Sequence, residues 1–156
     1  MRRLLATALC LLSLSCGRKG PVKPPEFARP AAIEDLQATN EAEAIVLSWS
    51  RPSVYADGSR MLDLAEFRAE RAAAASVEFE TVAVLPVTDR ERFRQIKRFR
   101  FADRGVVVGE SYRYRVVSYT VDGYASPSSN TVVIVREVGP AVGPTPAISP
   151  SAEEVR

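Results

Sequence analysis

The run V-V-V-G-E-S-Y-R-Y-R-V-V-S-Y-T-V-D-G-Y-A-S-P-S-S-N-T-V-V-I-V, Val106 to Val135, decides the fold. Tyr112, Tyr114 and Val116 alternate with Arg113 and Arg115, a period of two in residues that favour strands. Asp122-Gly123 supplies hairpin-tip chemistry, and Thr131 to Val135 reads as the returning strand. Two antiparallel strands with one apolar face do not stand alone in water, so further strands must pack against them.

Working outward, Ile33 to Ala38 reads as a first strand, and Ala44 to Trp49 as a second with Ile45, Leu47 and Trp49 on one face. Asp57-Gly58-Ser59 marks a loop. Leu62 to Ala75 is rich in leucine, alanine, glutamate and arginine, a composition that propensity alone assigns to helix. Phe79 to Leu85 gives a strand with Val82 and Val84 on one face, closed by Pro86. Arg98 to Asp103 alternates again, Phe99 and Phe101 inward, Arg98 and Arg100 outward.

The hairpin resembles the last two strands of a fibronectin type III domain. Gly109-Glu110-Ser111-Tyr112 matches the opening of that family's penultimate strand, and Gly123 with Ser126-Pro127-Ser128 matches the loop after it. Trp49 then Pro52 is similar to the family's second strand, and L-A-E-F-R-A-E-R to its third, with Leu64, Phe67 and Arg71 at matching spacing. The resemblance therefore makes Leu64 to Arg71 a strand, with Ala72 to Ser76 a loop and a short helix there as the competing reading. It implies an all-β, seven-stranded, immunoglobulin-like sandwich over residues 32–136, with Trp49 filling the core and Tyr112 as the tyrosine corner, its hydroxyl bonded to backbone.

The flanks are of another kind. Met1-Arg2-Arg3 and then Leu4 to Leu14 form a charged head and an apolar run of 11 residues, short of the roughly 20 that span a bilayer but suited to a secretory leader over residues 1–15. Cys16-Gly17-Arg18-Lys19-Gly20-Pro21, then Pro24-Pro25, resembles the start of small Gram-negative outer-membrane lipoproteins. Ser13 departs from that pattern, which carries an aliphatic residue three places before the cysteine; Leu12 and Leu14 flank it. The resemblance implies acylation (palmitate) of Cys16 and, with Gly17 in place of aspartate, a lipid anchor in the outer membrane facing the periplasm. Residues 16–31 then read as a proline-rich, basic tether and residues 137–156 as a disordered, proline-rich tail.

Composition removes several function classes. Lys+Arg number 21 against Asp+Glu 19; without Arg2 and Arg3 the balance is 19 to 19, with no footprint for nucleic acid. There is no histidine, and both cysteines, Cys10 and Cys16, precede the domain. Serine triads and the usual metal sites lack their residues, so neither catalysis nor a cofactor is expected. Two binding surfaces are expected instead. One is the loop pair bearing Tyr55 and Tyr124, brought to one end by the family resemblance, for a protein partner. The other is the basic band Arg90 to Arg104, with Arg92 and Arg98, for an anionic envelope polymer. The alternatives are a carbohydrate-binding accessory module, using Tyr55, Tyr119 and Tyr124, and an assembly factor for an outer-membrane complex.

Overall fold

The computed structural model describes residues 24, 28–88, 91 and 98–139. The leader, Cys16, most of the tether, Arg92 and the tail from 140 lie outside the described residues.

Among the described residues there are seven strands: β1 (Gln37–Glu41), β2 (Ala44–Ser50), β3 (Leu64–Ala73), β4 (Glu80–Pro86), β5 (Arg98–Asp103), β6 (Ser111–Thr120) and β7 (Val132–Val135). They form two antiparallel sheets, ordered β1-β2-β5 and β4-β3-β6-β7. The alternation read in β2 and β6 is the reason: each strand turns one apolar row inward, and the two rows bury each other. Trp49 of β2 meets Phe67 of β3 edge-on at 5.5 Å between centroids, and Phe67 lies 4.7 Å from Phe99 of β5. Ile45, Leu47, Leu64, Tyr114 and Val116 complete the fully buried centre.

Within the segment of helical composition, Leu64–Ala73 is strand, so β3 continues two residues past Arg71 before a turn at Ala74 and Ala75. Tertiary pairing overrides propensity here, because β3 is flanked by β4 and β6 along most of its length. Three expectations need correction. The first strand begins at Gln37, not Ile33. The side chain of Asn130 accepts from the Leu36 N–H (3.0 Å) and donates to the Leu36 carbonyl (2.9 Å), so a side chain does there what a neighbouring strand would do. Val82 and Val84 do not share a face: the register slips between Ala69↔Ala83 and Glu70↔Thr81, and this bulge leaves Val82 against the core and Val84 exposed. Finally, the turn at Asp122-Gly123 does not close a continuous ladder. β6 and β7 pair only from Ser111↔Val135 to Tyr114↔Val132. Between them Ser126 and Ser129 receive the N–H groups of Ser118 and Val116 on their hydroxyls, at 3.0 and 2.9 Å.

Tyr112 is the tyrosine corner: its hydroxyl accepts the Val107 N–H at 3.0 Å. Gly109 just before it holds φ +91°, a left-handed conformation that favours glycine.

Candidate functional site: the tyrosine-bearing loop end

Three connections meet at one end of the sandwich. The β2–β3 connection touches the β6–β7 connection through the Val121 N–H and the Asp63 carbonyl (2.8 Å). It touches the β4–β5 connection through Arg51, which donates to the Glu91 carbonyl (3.3 Å). The incoming chain joins them: Ala31 donates to the Val54 carbonyl and Ala56 to the Arg29 carbonyl, both at 3.0 Å.

Tyr55 and Tyr124 come together there, in a shallow cleft of about 260 Å³ that they line with Ala28, Asp63 and Asp122. The turn that presents Tyr124 is fixed by local bonds. Gly123 takes φ +84°, its N–H reaches the Thr120 carbonyl at 2.9 Å, and the Tyr124 N–H reaches the Thr120 hydroxyl at 3.1 Å. Tyr124 is 38% exposed and Tyr55 half-buried. The Tyr55 hydroxyl donates to the Asp63 carboxylate at 2.6 Å. Burial, that hydrogen bond and the charges of Asp63, Asp122 and Asp57 push the Tyr55 phenol up to about 12.

The aspartates are what sequence reading missed. Asp57 and Asp122 were legible only as turn residues, yet each stands two residues from a tyrosine of the pair. The cleft is aromatic and acidic.

Tyr119, the third tyrosine considered for carbohydrate, is elsewhere. It lies half-buried on the outward face of β6 with the Arg68 guanidinium 4.2 Å above its ring. The basic band divides. Arg98 opens β5 opposite Ser50, at the same end as the β2–β3 connection, and is exposed. Burial acts to raise the Asp35 carboxyl, but hydrogen bonds from Ser50 and the charge of Arg98 outweigh it, leaving the group below the ordinary carboxylate value. Arg100 is ion-paired with Glu41 on the outer face of the three-stranded sheet. The carboxylates on the other sheet are engaged too: Glu66 with Arg68, Glu70 with Arg115 and Glu80 with Arg71.

Solved structures with the same strand arrangement identify the architecture. The twitchin kinase region of C. elegans aligns at TM-score 0.52 and 16% identity, over 70% of this chain and 17% of that one. The fold is that of a fibronectin type III domain. A Fn3-like protein from Clostridium thermocellum aligns over 68% of this chain and 92% of its own, at TM-score 0.50 and 17% identity. A β-1,2-glucanase from Parabacteroides distasonis aligns at TM-score 0.50 and 20% identity, over 75% of this chain and 14% of its own. This chain thus matches only a small part of the twitchin and glucanase structures, and at these identities the likeness is one of fold. No family model and no curated protein sequence matches the chain.

Proposed function

We propose that this protein is a lipid-anchored envelope lipoprotein that displays a non-catalytic fibronectin type III module and binds a protein partner through its Tyr55–Tyr124 end. The convergence of those two tyrosines on one cleft carries the reading. A sandwich consumes its inner faces in the core and offers loops or edges to others. The outer faces here are largely occupied by their own charges, as Arg68–Glu66, Arg115–Glu70 and Arg100–Glu41. Tyrosine supplies contact area at low entropic cost and is enriched at binding hot spots. With Asp57, Asp63 and Asp122 around it, the cleft suits a partner surface that carries lysine or arginine. Arg98 lies at the same end and serves as the secondary, steering contact for anionic material.

The anchor rests on the resemblance at Cys16 and on the apolar run before it. Mass spectrometry of the mature N-terminus tests it: a lipid on Cys16 is expected, and an unmodified Cys16 or a different first residue contradicts it. Pull-down from native membranes tests the binding face. A partner retained by the unmodified protein and lost with Tyr55→Ala plus Tyr124→Ala supports it, and a partner retained by both contradicts it. The second reading, an accessory carbohydrate-binding module, is favoured by the same exposed ring of Tyr124. It predicts that a soluble polysaccharide such as a glucan competes with the protein partner.

A further inference from the structure

The place where the chain enters the sandwich bears on what the tyrosine end can meet. Residues 29–31 run antiparallel to residues 54–56, Pro30 bridging to Tyr55, and Pro30 is fully buried. The incoming chain therefore reaches the sandwich at Ala28, on the wall of the Tyr55–Tyr124 cleft. The chain leaves at the other end. There the Gly109 N–H bonds the Arg136 carbonyl (2.8 Å), and the buried Arg136 guanidinium donates to the carbonyls of Glu41 and Ala42, both at 2.9 Å. Entry and exit are separated by the length of β6, ten residues, or about 33 Å at the usual rise of a strand.

Cys16 and Ala28 are twelve residues apart. Fully extended, such a stretch spans about 40 Å, and as a proline-rich spacer at about 3.1 Å per residue it spans about 37 Å. For the Val107–Arg136 end to rest on the bilayer, the tether would have to fold back along the whole module. Nearly all of its length would be used in doing so. With the cleft end toward the bilayer, no folding back is needed, because the tether attaches on that side.

Resting on the anchored reading above, we infer that the Tyr55–Tyr124 end is the membrane-proximal end, and that its partner is a protein seated in the same membrane with lysine or arginine at its aqueous surface. Lipid itself is the poorer occupant, since Asp57, Asp63 and Asp122 repel anionic headgroups. The opposite end, with Val107 63% and Val108 57% exposed, points away from the anchor.

The test uses the lipidated, full mature protein in vesicles of phosphatidylethanolamine and phosphatidylglycerol. A fluorophore is attached through Tyr124→Cys or, separately, Val107→Cys, and energy transfer to a headgroup acceptor is measured. Transfer from position 124 should exceed that from position 107 several-fold. Equal transfer from the two, or more from 107, overturns the orientation while leaving the anchor intact. Failure of every variant to associate with vesicles, with no lipid on Cys16, overturns the anchor and the orientation with it. In native membranes, a photoreactive residue at position 124 should capture an integral membrane protein. Capture of a soluble protein alone, or of lipid alone, contradicts the partner assignment.

Discussion

The Tyr114 hydroxyl on β6 donates a 2.8 Å hydrogen bond to the Asp103 carboxylate on β5, joining the two sheets inside the sandwich. Arg71 on β3 reaches the same carboxylate at 3.0 Å, and the Gly105 N–H caps its other oxygen at 2.9 Å. Asp103 is only 4% exposed, so its charge depends on these donors. Asp103→Ala leaves Arg71 and Tyr114 without their shared acceptor and should cost about 3–5 kcal/mol, the range for breaking a buried ion pair. Tyr114→Phe removes one bond to a charged group and should cost about 1.5–3 kcal/mol. Urea denaturation followed by circular dichroism should rank them in that order.

Trp49→Ala should cost roughly 3–5 kcal/mol, a large fraction of the stability of a domain this size. The indole is fully buried between Phe67 and Phe99, so the loss is a cavity at the centre of the inter-sheet contact. Wild-type-like stability in the same denaturant experiment would contradict the core described here.

Tyr112→Phe should cost less, on the order of 1 kcal/mol. The group that loses its acceptor is the Val107 N–H, in a loop whose side chain is 63% exposed, where water can replace the hydroxyl. A loss equal to that of Trp49→Ala would mean that the corner holds far more of the fold than this geometry provides.

The acidic cleft has a titration signature. The folded-state pKa of Tyr55 is raised from 10.0 to about 12, so the folded state holds the phenolic proton more tightly than the unfolded chain. The stabilisation is fully present below pH 10 and is lost as pH rises through 10 toward 12. In an ultraviolet titration of the phenolates, the component near pH 12 should vanish in Tyr55→Phe and move down in Asp63→Asn. An unchanged profile in Tyr55→Phe would show that another residue titrates there.

Much of this fold could be read from the chain because apolar alternation is local. Tyr112, Tyr114 and Val116 in β6, and Ile45, Leu47 and Trp49 in β2, sit on the faces their spacing dictates. What could not be read depends on partners distant in sequence. The bulge at Val82 is set by the register against β3, and Asn130 shortens the first strand from 94 residues away. Asp103 and Arg136, at 4% and 3% exposure, carry charges that composition alone assigns to the surface. At the site, the pairing of Tyr55 with Tyr124 followed from the family resemblance. The aspartates beside them gave no separate signal, because Asp57 and Asp122 also suit the turns they occupy.

The central claim is that the tyrosine-bearing end is the binding face, and site-specific photocrosslinking in the intact envelope tests it most directly. A photoreactive residue is placed in turn at Tyr55, Tyr124, Arg92 and Arg98. Strong adducts to one protein from positions 55 and 124, weaker or none from 92 and 98, are the predicted result. Adducts from 92 and 98 only, lost in moderate salt, would contradict it and assign binding to the basic band. No adduct from any of the four would make the module a spacer.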